Sequence, residues 1–304
     1  MNNFSKKQNI LLLMGGVSPE RAISLESGKV CLQAIKDLGY RVQTLDPDYN
    51  IITSLTELNF DIIFNCLHGS WGENGYIQSI FEFLNIKYTH SGILASANAM
   101  NKLKSKEIFM HRKIPVAKSY LLDNAKDNIE FPIVIKPIDG GSSVDVYLIK
   151  SKNQLNEFLE KNHNSLSSFF AEDFVDGVDY TCGVIGGKAT HVAEIVTSGK
   201  LFDYNEKYSS NSAAHIIPAN LKPNIYEKMR EYSLEAHDCL GCRGVTRVDF
   251  RYSTLRDEKL VCLEVNTQPG MTKKSLLPEL ADYSGISFHE LVEWIICDAS
   301  CNRY

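Results

Sequence analysis

An apolar run closed by two glycines, followed by a helix and a second apolar run, constrains the fold of this chain more than any other feature. Residues 10–14 (Ile-Leu-Leu-Leu-Met) are continuous enough to form a strand buried on both faces, and Gly15-Gly16 ends it. Ser18, Pro19 and Glu20 carry the marks of a helix start: a capping hydroxyl, a proline at the first helical position and an acid in the first turn. Val30, Cys31, Ala34, Ile35 and Leu38 recur at helical spacing until Gly39, and residues 41–45 and 61–67 read as two further strands. Strand, helix, strand at this spacing predicts a parallel sheet with helices packed on it, a Rossmann-like α/β unit spanning residues 1–97.

Beyond that unit the pattern changes. Residues 102–111 predict a short helix closed by Ile114-Pro115. Strands then dominate, at 133–136, 144–149, 169–174, 179–185 and 190–196, with one helix at 152–161. This is α+β rather than regular alternation. Residues 198–214 are polar and rich in serine and asparagine, and a loop of that length is functional or disordered. A helix at 225–240, strands at 245–252 and 259–265, and an amphipathic helix at 287–299 complete the chain. At 304 residues there is room for two or three cores.

Composition mainly excludes. A formal net charge of −5 leaves no basic footprint for nucleic acid. No stretch approaches the ~18 apolar residues of a membrane span, and the short apolar run after a polar start does not make a signal peptide, so a cytoplasmic location is expected. Most of the eight cysteines lie in apolar segments and read as reduced core thiols. Cys239 and Cys242 flank Gly241 with no second Cys/His pair at partner spacing, which favours a structural role over redox or zinc chemistry.

Neither the phosphate loop Gly-x-x-x-x-Gly-Lys-Ser/Thr nor a Gly-x-Gly-x-x-Gly follows a strand, so any nucleotide is held another way. The clearest chemical pattern lies in the last third. Alternation puts Arg247 and Asp249 on one face of their strand, with Val248 and Phe250 opposite. In the next strand Glu264 and Asn266 share a face opposite Val261, Leu263 and Val265. If the two strands pair, Asp249, Glu264 and Asn266 form an oxygen-donor set suited to Mg²⁺; a solvated polar sheet face accounts for the pattern equally well. Lys136 ends a strand before Asp139-Gly140-Gly141-Ser142-Ser143, which offers a cation, N–H groups and hydroxyls to phosphate, or is an ordinary glycine-rich hairpin. Asn266–Thr272 opens toward Ser275-Leu276, a helix start able to bind a carboxylate, with Gly270 free of a side chain near a developing oxyanion; a plain strand-to-helix turn is the alternative. His68 and Glu20 fall at the C-terminal ends of the parallel strands, where ligands of such sheets collect, though each has an ordinary structural reading too.

The order of these motifs resembles the D-alanine–D-alanine ligases from about Ile10 to Ala299. The matches run through Leu13–Arg21, Leu67-His68-Gly69 with Gly72–Gly75, Met100–Lys106, Ile135-Lys136-Pro137, Gly141–Val144, Tyr204–Tyr208, Arg247-Val248-Asp249 and Glu264–Thr272. The resemblance implies an ATP-grasp fold behind the N-terminal unit, divided at 98–187 and 188–304 and carrying a lid at about 198–214. It implies ligation of two D-alanines at the expense of ATP through a D-alanyl phosphate, for peptidoglycan precursors, in a homodimer. Lys102, Lys136 and Lys207 would hold the phosphates, with Ser142 and Ser143 beside them; Glu172 would meet the adenine amino group and Asp179 the ribose. Asp249, Glu264 and Asn266 would bind two Mg²⁺, with Mn²⁺ as a substitute and a monovalent cation as a further candidate. Glu20 would bind the first D-alanine's ammonium with His68 nearby. Arg247 and Gly270 would stabilise the tetrahedral intermediate, Ser275 and Leu276 would hold the second D-alanine's carboxylate, and Ser142 and Tyr208 would join Glu20 in closing the lid. A sister ligase making D-alanyl-D-lactate, or a nucleotide-binding regulator without catalysis, are the alternatives, and Tyr208 favours the dipeptide. Three positions depart from the family pattern: Asp145 stands where glycine is usual, Asp179 where glutamate is usual, and Ala22 where an acid is common.

Overall fold

The computed structural model describes residues 8–122, 129–141, 144–196, 214–255 and 258–303. Its first sheet is parallel, ordered β2-β1-β3-β4, from β1 (Asn9–Leu13), β2 (Arg41–Leu45), β3 (Ile62–Asn65) and the two-residue β4 (Lys87–Tyr88). The uninterrupted apolar character of β1 follows from burial on both faces. Ile10 and Leu12 enter one core with Ile35 of α1 (Arg21–Asp37), while Leu11 and Leu13 enter another with Leu55 of α2 (Ile51–Glu57) and Phe81 of α3 (Tyr76–Phe83).

A small antiparallel sheet, ordered β5-β8-β6-β7, combines β5 (Ser119–Leu121), β6 (Ile133–Pro137), β7 (Tyr147–Ile149) and β8 (Phe169–Asp173). Leu155 and Phe158 of α6 (Lys152–Lys161) pack with its Ile133, Ile135 and Ala171. A larger antiparallel sheet, ordered β11-β10-β9-β12-β13, is made of β9 (Val178–Ile185), β10 (Lys188–Val196), β11 (Ala214–Ile216), β12 (Val245–Ser253) and β13 (Lys259–Asn266). Its Val248, Phe250 and Val265 face a core built with α4 (Ile93–Met100), α5 (Lys102–His111) and α7 (Pro223–Cys239). The last helices, α8 (Leu276–Tyr283) and α9 (Phe288–Asp298), return to the first sheet: Leu277, Val292 and Ile296 share the core of Ile10, Leu12 and Ile35. The chain therefore closes on itself, which brings the C-terminal motifs beside the N-terminal ones.

Three expectations are corrected. Ser18 does not cap α1; the helix starts at Arg21 and Glu20 occupies the cap position. The Ser18 hydroxyl is committed elsewhere, donating to the His68 carbonyl at 2.5 Å and accepting from the Glu20 N–H at 3.1 Å. The strand expected from residue 144 begins at Tyr147, because Asp145 takes a left-handed φ of +56°. Glycine takes such a conformation without steric cost. The Asp145 carboxylate accepts from the Tyr147 hydroxyl at 3.1 Å. Finally, a bulge after Asp249 shifts the pairing so that Asp249 opposes Glu264 while Phe250 opposes Cys262. Cys262, not Leu263, then points into the core with Val265, and Val261 and Leu263 join Glu264 at the cleft described below. Residues 198–213 of the expected lid lie outside the described residues; Ala214 opens β11.

Candidate active site

The small and large sheets face each other across a cleft lined by residues of both. Apolar side chains such as Val134, Val146, Phe174, Ile195, Val261 and Leu263 line its walls. Charged groups enter at defined points. β6 places Lys136 and β8 places Glu172, and the Lys136 ammonium lies 2.6 Å from the Glu172 carboxylate. The other carboxylate oxygen of Glu172 pairs with Lys106 of α5. Both ammonium groups also lie 5.5 Å from the centroid of the Phe170 ring, a cation–π distance. Burial opposes charge on Glu172, but the two lysines outweigh it and hold the carboxyl below its ordinary range. Burial also pushes Lys106 down, against the opposing pull of Glu172.

Lys106 was not singled out from the sequence. Its signal is nonetheless there: Lys102, Lys106 and Phe109 recur at i, i+4 and i+7, so a lysine occupies the buried stripe of α5.

On the large sheet β12 and β13 do pair, the condition on which the alternation groups these side chains, with Arg247 opposite Asn266 and Asp249 opposite Glu264. Arg247 forks onto Asp249, its Nε and Nη2 donating at 2.9 and 2.7 Å, and Thr181 of β9 donates to Asp249 at 2.7 Å. The Lys102 ammonium lies 3.3 Å from Glu264 and donates to the Gly140 carbonyl at 2.5 Å, tying α5 to the glycine-rich loop. Asp179 reaches the cleft, but Arg251 donates to both of its oxygens, at 2.8 and 3.0 Å.

A second corner forms where the first sheet meets the segment after β13. Glu20 sits between two glycines: a Cβ on Gly69 would lie 2.8 Å from one Glu20 carboxylate oxygen, and a Cβ on Gly141 would lie 3.2 Å from the other. His68 is held by Glu73 at 2.8 Å and lies 3.4 Å from the Ser27 hydroxyl, which accepts from the Met271 N–H at 3.2 Å. Gln268 fastens the corner, accepting from Asn65 at 2.7 Å and donating to the Leu67 carbonyl. Sequence patterning passed over Gln268 except as part of a motif. Both partners are buried, so Gln268→Ala is expected to lower unfolding stability by about 1–3 kcal/mol, measured in urea, because it strands a buried amide and carbonyl. A loss below 0.5 kcal/mol would show the fastening is dispensable.

Beyond Gln268, Ser275 precedes α8 without capping it. Its hydroxyl instead accepts from the Thr272 N–H at 2.9 Å, 3.0 Å from where a Cβ on Gly270 would stand. The first-turn N–H groups at Leu276 remain at a helix start, where carboxylates bind well. Ser142, Ser143, Lys207 and Tyr208 lie outside the described residues. Cys239 and Cys242 sit at the end of α7, their thiols pushed up by burial to about 11 and about 12, so neither is a ready thiolate. Among the described residues no helix is long and apolar enough to cross a membrane.

Two antiparallel sheets facing each other across a cleft, with Lys136 and Glu172 on the small sheet and Asp249 and Glu264 on the large one, define the ATP-grasp class. Residues 98–297 match the model of the D-ala D-ala ligase C-terminus. The chain is 45% identical to a D-alanine–D-alanine ligase of Azorhizobium caulinodans and 44% identical to one of Xanthobacter autotrophicus, each match covering 97% of this chain and 99% of the relative. The crystal structure of a D-alanine–D-alanine ligase from Bacillus anthracis complexed with ATP superposes with a TM-score of 0.81 at 29% identity, covering 96% of this chain and 97% of that one. The chain belongs to the D-alanine–D-alanine ligase family.

Proposed function

We propose that this chain joins two D-alanine molecules to D-alanyl-D-alanine, converting ATP to ADP and phosphate, as a step toward peptidoglycan precursors. The observation that carries the reading is the place of Glu20. A carboxylate at the start of α1 stands against Gly69 of the N-terminal unit and Gly141 of the glycine-rich loop, one point where an amino acid's ammonium and a phosphate-binding loop come together.

In this reading the cleft holds ATP, the adenine amino group facing Glu172 and the ribose facing Asp179, which must share its oxygens with Arg251. Lys102 and Lys136, with Lys207, Ser142 and Ser143 from outside the described residues, hold the phosphates. Asp249, Glu264 and Asn266 fit Mg²⁺ or Mn²⁺: all are oxygen donors, two stand opposite each other in register, and the third lies on the same strand. When bound, the metal offsets phosphate charge during transfer. The first D-alanine, held by Glu20 beside His68, attacks the γ-phosphate through its carboxylate. The amino group of the second, its carboxylate on Ser275 and Leu276, then attacks the acyl phosphate and releases phosphate. Arg247 and the Gly270 N–H stabilise the tetrahedral oxyanion. The acyl phosphate hydrolyses readily, so a lid at about 198–214, with Tyr208 and Ser142 meeting Glu20, serves to exclude water. We further propose units at 1–97, 98–187 and 188–304, a homodimer, a monovalent-cation requirement and a cytoplasmic location.

The test is phosphate release from ATP and Mg²⁺ with and without D-alanine, with the product identified by mass. D-alanine-dependent release with a D-alanyl-D-alanine product is expected. Release driven by D-lactate as second substrate would move the protein to the depsipeptide branch, and ATP binding without release would make it a regulator.

A further inference from the structure

α5 carries a lysine that the reaction above does not use. Lys106 is 2% exposed, against 8% for both Lys102 and Lys136, and it stands behind the cleft wall. Its ammonium has three N–H donors and three acceptors: the Glu172 carboxylate, the Ala117 carbonyl at 3.2 Å and the Ser119 hydroxyl at 3.1 Å. A cation so fully engaged, on a helix packed into the core, is not a phosphate ligand. It is a fixed counter-charge at the back of Glu172.

We propose that Lys106 is a positioning residue for nucleobase choice, holding Glu172 as an oriented carboxylate so that the cleft accepts a purine with an amino group at C6 and rejects one with a carbonyl there. The proposal rests on reading Glu172 as the partner of the adenine amino group. A carboxylate only accepts hydrogen bonds. Adenine presents a donor at C6, whereas hypoxanthine and guanine present an acceptor, which places two acceptors face to face. A site built to pair one group rejects an analogue that leaves it unpaired. That discrimination depends on charge, because a buried carboxyl with no cation nearby takes up a proton and becomes a donor itself.

Two lysines now share Glu172, but their fates differ when nucleotide enters. Lys136 lines the cleft and is assigned to phosphate, so it has a competing anion to turn toward. Lys106 has none within reach of its fixed position, which leaves it as the lasting counter-ion. The remaining groups around the pair add no charge. The Ser119 hydroxyl and the Ala117 carbonyl, the other groups that Lys106 meets, are neutral.

The test compares steady-state kcat and KM for ATP and inosine triphosphate, with D-alanine saturating, in the wild type and in Lys106→Met, Lys106→Gln, Lys106→Arg and Glu172→Gln. Both neutral variants at Lys106 are expected to raise KM for ATP about tenfold with kcat within about twofold, and to shrink the preference for ATP over inosine triphosphate about tenfold or more. Such a factor corresponds to the loss of one charged hydrogen bond. Lys106→Gln retains a donor for Ala117 and Ser119, so it serves if the methionine variant does not fold. Lys106→Arg keeps the charge and should keep the preference. Glu172→Gln should lose it, since an amide can donate to a carbonyl. An unchanged preference in the neutral Lys106 variants, with collapse in Glu172→Gln, overturns the role of Lys106 and leaves the ligase reading standing. An unchanged preference in Glu172→Gln removes the nucleobase contact itself, and the proposal with it.

Discussion

Alanine at Arg247 or at Glu264 is expected to lower D-alanine-dependent phosphate release by at least about 10²–10³-fold, the scale of losing one preorganised group that meets charge in the transition state. The two losses should differ in kind. Arg247 is held by Asp249, so before substrate arrives its fork is already oriented by a carboxylate. Its bond to the oxyanion would form only as the tetrahedral species forms, so Arg247→Ala should reduce kcat with little change in KM for ATP. Glu264 stands opposite Asp249 and 3.3 Å from Lys102. If Glu264 belongs to the metal set proposed above, its removal takes away a donor, so the curve of rate against Mg²⁺ should move to higher concentration as well as fall. Folding should survive both changes. Asp249 keeps the Thr181 hydroxyl after Arg247 is lost, and Lys102 keeps the Gly140 carbonyl after Glu264 is lost. Thermal unfolding checks this directly. Full activity in either variant would mean the transfer site lies elsewhere.

The contrast between Glu264 and Lys106 marks what a sequence discloses. Alternation alone put Arg247, Asp249, Glu264 and Asn266 on facing positions, and the pairing of β12 with β13 obeys it, because strand periodicity is a local property. The same alternation misassigned Leu263 and Val261, since a bulge inserts a residue without any local composition to announce it. The parallel first sheet was legible from the apolar run at 10–14, and α5 and α6 match their expected bounds. The segment from 68 to 101 shows no clean period in sequence, although α3 and α4 lie there, because short helices with apolar residues on several faces give none. Ser18 looked like a cap because caps are written in residue type. Its true partner, the His68 carbonyl, lies 50 positions away, and no local pattern encodes that. Gln268 is the same case at greater range: it matters through Asn65 and Leu67, which only the folded chain brings near. Placements set by strand periodicity were readable, and those set by contacts between distant segments were not.

One of these long-range placements sets how the fold responds to acid. Following β4, His90 packs edge-on against Phe64 at 6.1 Å between centroids, 3% exposed, and its Nδ1 has no hydrogen-bond partner. Burial pushes its pKa from 6.5 down to about 3, with the neighbouring Arg303 guanidinium adding to the shift. The folded protein thus keeps His90 neutral while the unfolded chain protonates it below about pH 6.5. In that window the unfolded state binds more protons, so stability rises with pH and falls on acidification. Nothing is lost above pH 6.5. Between pH 6.5 and pH 3 the loss approaches about 1.4 kcal/mol per unit, reaching about 2 kcal/mol at pH 5 and saturating near 5 kcal/mol below pH 3. His90→Asn is the informative comparison, because asparagine tolerates the φ of +69° found there and carries no titrating group. The variant should be the less stable protein at pH 7, having lost ring packing. Acid should then narrow the gap by about 2 kcal/mol at pH 5, with carboxylate contributions common to both proteins cancelling in the difference. Denaturant unfolding of the pair at pH 7, 6 and 5 measures this. A gap that stays constant across that range would mean His90 is protonated within the fold, with Arg303 and the C-terminal turn yielding to make room for the charge.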